Sequence, residues 1–335
     1  EAYMPASGIY GYEWVVDQLR RSIATGRVRH AYLIAGPEAV GRETLARAFA
    51  MSLNCLHDDI GARPCGECRT CRQIQAGGHA DLLTSQTDAN SGLLRIEEVR
   101  TLTGRVALKP YDARYRIAIL RDFDRAQPRT QDALLKTLEE PPPHALLLLI
   151  AQSLDPILPT ITSRSQVIHL RPLAAATIEA ALIDGWGAES EQAALLARLS
   201  GGRMGWAVSA LGDVALLEQR DQALDLLESM LVQNRAGRFS LAEDLSKEKL
   251  ALPPLLVLWQ SYWRDLLHLC AGSGVEIVIR DRAERLSRLA VQIDVETIST
   301  AMLATNTLLE TLHTNANARL ALEVMLLDYP RLALA

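Results

Sequence analysis

The chain has 335 residues, 49% of them hydrophobic and only 5% aromatic, with a formal net charge of −5. This length allows two or three domains, the aromatic-poor composition rich in Leu and Ala favours helices over a β-sandwich, and the acidic balance excludes a chain-wide basic footprint for nucleic acid. The longest apolar run, Ala145 to Ala151, is too short to span a bilayer, and the polar amino terminus lacks the basic-then-apolar pattern of a secretion signal, so we expect a soluble cytoplasmic chain without membrane partners.

The stretch from His30 to Ala50, HAYLIAGPEAVGRETLARAFA, opens with an apolar run, Ala31 to Ala35, suited to a buried strand. A turn of small residues follows, and then Ala46, Phe49, Ala50 and Leu53 recur at helical spacing. Strand, glycine turn and helix form the setting of a phosphate-binding P-loop, G-x-x-x-x-G-K-[ST]. Gly36 and Gly41 hold the right spacing, but Arg42 stands at the lysine position and Glu43 at the Ser/Thr that would meet Mg²⁺. A carboxylate there repels phosphate instead of offering a hydroxyl to the metal. The spacing fits a P-loop that has lost its nucleotide; an ordinary strand-to-helix turn with two glycines would satisfy it as well.

Cys55, Cys65, Cys68 and Cys71 follow within 17 residues in the order C-x9-C-x2-C-x2-C. In a cytosolic chain such clustering is metal-ligand spacing more than a disulfide framework. Four thiolates around one point make a closed structural Zn²⁺ site with no open position for catalysis. Free or redox cysteines and an iron–sulfur cluster are the competing readings. Cys270, in the apolar run of Leu266, Leu267 and Leu269, reads as a core residue.

Residues 86–92 read as a polar loop, and Ile96, Val99 and Leu102 resume helical spacing. Arg116 to Leu120 is the next buried strand. It ends in Arg121 and Asp122, where a nucleotide-binding fold would carry the acids that hold Mg²⁺. A helix from Thr130 to Glu140 is stopped by Pro141 to Pro143. Leu146 to Ile150 is a third strand and Val167 to Leu170 a last one before Pro172. Strands alternating with helices over residues 5–172 predict an α/β layer fold with a parallel sheet.

From Pro172 onward the chain reads as helical. Small helices fill 173–212, broken at Gly201 and Gly202. Beyond them, amphipathic stretches carry Leu216, Leu217, Ala223, Leu224 and Leu227, then Trp259, Tyr262 and Trp263, then Ile298, Met302, Leu309, Leu312 and Ala316, with Arg319 to Leu327 last. These stripes predict a bundle core.

GPEAVGRET, the four-cysteine module, LLKTLEEPP (Leu134 to Pro142) and TSRS (Thr162 to Ser165) together resemble the bacterial DNA polymerase III clamp-loader family of AAA+ proteins. The likeness covers the first two hundred residues or so closely and the last third loosely. Within that family the ATP-binding gamma/tau subunits keep intact sites, whereas delta-prime subunits carry degenerate ones, and this sequence looks like the latter. The family's sensor 2 arginine falls at Gly205, with Arg203 two residues away as a candidate substitute.

The resemblance implies an AAA+ core over 1–172 with a zinc module at 55–71, a helical lid domain over 173–212 and a helical collar over 213–335. It implies no bound ATP, gamma/tau and delta subunits as partners, and contact with the sliding clamp and primed DNA through the complex. Ser163 and Arg164 match the motif by which one clamp-loader subunit reaches into its neighbour's ATP site, although the third residue is Ser165. A planar cation at a subunit edge can stabilise charge building on a γ-phosphate next door. The competing function is a gamma/tau-like active ATPase in which Arg42 replaces lysine; Glu43, Arg121 and Gly205 all count against it.

Overall fold

The computed structural model describes residues 8–88, 92–275, 277–312 and 317–332. The chain divides into two compact units, 1–208 and 209–335. In the first, α1 (Glu13–Ala24), β1 (Ala31–Ala35), α2 (Arg42–Asn54), α3 (Arg69–Gln75), β2 (Leu82–Thr84), α4 (Ile96–Val106), β3 (Arg116–Leu120), α5 (Pro128–Glu139), β4 (Ala145–Ala151), α6 (Pro159–Thr162) and β5 (Gln166–His169) succeed one another. Next come α7 (Ala175–Trp186), α8 (Ser190–Leu199) and α9 (Met204–Gly212), the last running across the boundary.

The five strands form one parallel sheet in the order β2-β3-β4-β1-β5. The apolar strands of the sequence are apolar on both faces for a reason. Leu33, Ala118, Leu120, Leu147 and Leu149 pack into one core, while the alternate residues Tyr32, Ile34, Ile119, Leu148 and Ile150 pack into another on the opposite face. Period-2 alternation here separates two cores, not core from water. A parallel sheet thus lies between two layers of helices, as the alternation of strands and helices predicts.

One strand lies outside the sequence expectation. β2 is only three residues long and sits at the sheet edge beside β3, too short to show any periodicity. Its neighbour Asp81 is fully buried, and its carboxylate accepts the backbone N–H groups of Tyr111, Asp112 and Ala113 at 2.8–3.1 Å. Burial alone would raise this carboxyl's pKa; those donors and Arg116 hold it below the ordinary value instead.

The second unit is helical: α10 (Val214–Val232), α11 (Arg235–Leu245), α12 (Leu252–Cys270), α13 (Ala283–Ala290), α14 (Val295–Thr311) and α15 (Ala318–Asp328). Trp259, Tyr262 and Trp263 on α12 are fully buried in its core with Leu224, Leu227 and Ile298, whereas Leu216 and Leu217 are half-buried outside it and Leu320, Val324 and Leu327 are exposed. Met302, Leu309 and Leu312 pack against that core from its margin. The Trp263 and Tyr329 rings meet edge to face at 5.1 Å. Buried Arg238 donates to the carbonyls of Leu326, Tyr329 and Pro330, filling acceptors that the end of α15 and the chain beyond it leave open. Cys270 is half-buried at the margin of this core, and its thiol donates to the Ile293 carbonyl at 3.3 Å. Ala316, expected in the α14 stripe, and 89–91 of the polar loop lie outside the described residues. Among those residues no helix is long and apolar enough to cross a membrane.

Candidate functional site

β1 delivers the chain to residues 36–41 at the carboxyl edge of the sheet, where open α/β sheets bind ligands. Gly36 is required there, because a Cβ would strike the carbonyl oxygen of Leu170 at the end of β5. Gly41, at φ 105°, turns the chain into α2. Ala39 holds φ 60°, a left-handed conformation that costs a residue with a side chain about 1–2 kcal/mol. Its carbonyl accepts the Gly205 N–H at 2.7 Å. That donor belongs to the first turn of α9, where no intrahelical partner exists, so the loop caps the helix.

Arg42, Glu43 and Arg121 stand where a P-loop site would carry its lysine, its hydroxyl and its acid. Arg42 is buried, and burial lowers its pKa against the pull of Asp124, Asp122 and Glu38. Asp124 is buried as well; burial raises its carboxyl, with Arg42 among the groups opposing that shift. Arg42 Nη1 and Asp124 Oδ1 are both buried, and each lacks a hydrogen-bond partner among the described residues.

At the mouth of the loop, Glu43 Oε2 meets Arg121 Nη2 at 2.8 Å, and Glu43 Oε1 meets Arg47 Nη2 at 2.9 Å. An intact site joins these two positions through Mg²⁺, with a hydroxyl on one side and an acid on the other. Here an acid and a base join them directly. Asp122, at φ 48° after β3, caps no helix with its side chain.

Gly205 leaves no room for a side chain, because a Cβ there would lie 2.8 Å from the Ala39 carbonyl oxygen. Arg203 is turned onto its own segment: its Nε donates to the Ser200 carbonyl at 2.8 Å, and its guanidinium lies 6.0 Å from the Trp206 ring centroid.

Arg164 follows α6 at a separate edge. Its Nη2 pairs with Glu139 Oε1 at 3.0 Å and its Nη1 donates to the Thr160 carbonyl at 3.1 Å. Both partners of the ion pair are solvent-accessible, at 38% and 52% side-chain exposure.

Cys55, directly after α2, and Cys65, Cys68 and Cys71 around the start of α3 converge, with all four sulfurs within 4.8 Å of one another. Zinc–sulfur bonds of about 2.3 Å in a tetrahedron set sulfur–sulfur separations of about 3.8 Å. The measured Cys55–Cys65 and Cys65–Cys71 separations are 3.5 and 4.0 Å. Backbone N–H groups of His57, Cys68 and Cys71 point at the sulfurs of Cys55, Cys65 and Cys68, as thiolates require. The donor set fits a four-coordinate soft-metal site.

The sequence reading named Arg42, Glu43, Arg121, Asp122 and Gly205, and the fold gathers all five around one loop. It missed Asp124 and Glu139. The Asp122-Phe123-Asp124 spacing was the available signal for the first: with Phe123 in the core, the flanking acids had to be held at the strand's end.

A family profile described as DNA polymerase III, delta subunit, matches residues 11–174. The delta′ subunit of DNA polymerase III from Bacillus subtilis strain 168 is 28% identical over 321 residues, covering 93% of this chain and 94% of that one. The tau subunit from Escherichia coli K12 is 32% identical over 270 residues, 74% of this chain and 41% of that protein. The tau/gamma subunit from Haemophilus influenzae is 36% identical over 165 residues, 49% of this chain and 23% of that protein. The chain thus spans less than half the length of these tau relatives. Over nearly its whole length the chain is similar to a delta′ subunit of bacterial DNA polymerase III, and over part of it to tau subunits.

Proposed function

We propose that this chain is a delta-prime-like subunit that neither binds nor hydrolyses ATP and works as a scaffold, lending Arg164 to a neighbouring motor subunit. The observation that carries the reading is the direct Glu43–Arg121 ion pair at 2.8 Å, which occupies the positions an intact site would bridge with Mg²⁺. Buried Arg42 beside Asp124 and the packed amide of Gly205 point the same way. Near-complete coverage of the delta′ relative, against 41% of tau, supports the assignment within the family.

On this reading residues 1–172 are the AAA+ core, 173–212 a lid and 213–335 a collar. The partners are gamma/tau and delta subunits, and through them the sliding clamp and primed DNA. Cys55, Cys65, Cys68 and Cys71 would hold Zn²⁺, which supplies a fixed crosslink and no chemistry. In the collar, α14 and α15 border an apolar groove of about 440 Å³ lined by Leu303, Ala304, Leu320, Ala321 and Val324. Such a groove suits a helix of a sister subunit.

Arg164→Ala in a reconstituted complex tests the reading, with assembly followed by gel filtration. An arginine finger contributes roughly 10³–10⁵ to turnover at the site it serves. Only the site facing this chain would lose it, so we expect normal assembly, a partial fall in total ATPase and reduced clamp loading. Unchanged ATPase and loading would make Arg164 a surface charge.

A further inference from the structure

The LLKTLEEPP motif and the TSRS motif are far apart in sequence, and the proposed function uses only the second. The fold packs α5 against α6, and an ion pair links the two motifs at the surface. Glu139 is the last residue of α5, just before the prolines that stop it. A carboxylate is unfavourable there, because the helix's partial negative charge collects at that end. What offsets this is Arg164, whose Nη2 lies 3.0 Å from Glu139 Oε1 while its Nη1 is held by the Thr160 carbonyl.

We infer that Glu139 is a positioning residue that parks Arg164, holding the guanidinium on its own chain until a more highly charged anion at a partner's edge displaces the carboxylate. The inference rests on the reading of Arg164 as a finger and adds the device that governs its release. Three features fit an exchangeable contact. Both side chains stand in solvent at 38% and 52% exposure, so an incoming anion can reach them. A single carboxylate oxygen makes the contact, leaving the fork-shaped recognition of two phosphate oxygens to the partner. The carbonyl of Thr160 anchors the other nitrogen, so the guanidinium pivots rather than searches.

A solvent-exposed ion pair is weak, so its removal changes the availability of the arginine by about 1.5- to 5-fold. The first experiment uses the isolated chain, with phenylglyoxal modification of Arg164 mapped by mass spectrometry. Glu139→Gln is expected to speed modification of Arg164 by about that factor, relative to the other arginines. An unchanged or slower rate overturns the inference without touching the finger.

The second compares wild type, Glu139→Gln, Arg164→Ala and the double variant in the reconstituted complex. Glu139→Gln is expected to raise ATPase at the facing site, and the double variant to match Arg164→Ala. If Glu139→Gln lowers ATPase as Arg164→Ala does, the carboxylate presents the arginine instead of parking it, and the inference fails. If Arg164→Ala itself changes nothing, the finger reading and the release device fail together, while the modification rates still report whether Glu139 holds the side chain.

Discussion

Replacing Gly205 by Ala isolates the contact between α9 and the loop at residues 36–41. In most helical settings this change is favourable, by up to about 1 kcal/mol, because alanine has less backbone freedom to lose. Here the added Cβ would sit 2.8 Å from the backbone oxygen of Ala39, closer than packed carbon and oxygen tolerate. Forcing a methyl into a filled site costs about 1–3 kcal/mol, and the 2.7 Å Gly205–Ala39 hydrogen bond, worth about 0.5–1.5 kcal/mol net, is bent or lost as well. The sum is a net loss of about 0.5–4 kcal/mol in the first unit, or roughly 1–16 °C in melting temperature by differential scanning calorimetry. Gly104 is the control: it lies in α4, and a Cβ there meets nothing within 4 Å, so Gly104→Ala should stabilise by about 0.4–1 kcal/mol. If Gly205→Ala stabilises as Gly104→Ala does, the loop is not packed as described.

Asp81→Asn should destabilise the first unit by roughly 2–4 kcal/mol at neutral pH, since the charged acceptor of three backbone donors is lost. Its folded pKa lies below the ordinary carboxylate value, so its contribution is present above that ordinary value and fades as pH falls through the lower folded one. The gap between variant and wild type, read by urea unfolding, should therefore narrow only in strong acid; a gap independent of pH would contradict this. For the cysteine cluster, elemental analysis of chelator-free protein should give one zinc per chain, and Cys68→Ala should lower both metal content and the melting temperature. Full metal retention in that variant would remove Cys68 from the site.

Much of this was legible because it is local. The spacing of Cys55 to Cys71 bends four sulfurs round one point whatever the rest of the chain does. Ala31–Ala35, Ile117–Leu120 and Leu146–Ile150 declare buried strands by their apolarity, and Arg42, Glu43 and Arg121 depart by charge alone from what a nucleotide-binding loop carries. Pairing across distance was not legible. Glu43 and Arg121 are separate losses in the sequence and one ion pair in the fold. Glu139 reads as an exposed helix end until α6 brings Arg164 beside it. The role of Gly205 depends on a carbonyl 166 residues earlier, and β2 is recognisable only through its partner strand.

Calorimetric titration of the isolated chain with ATP in the presence and absence of Mg²⁺ tests the central claim most directly. With the metal position closed by Glu43 and Arg121 and Arg42 buried beside Asp124, the account predicts no saturable heat in either condition. Micromolar binding that strengthens with Mg²⁺ would contradict it.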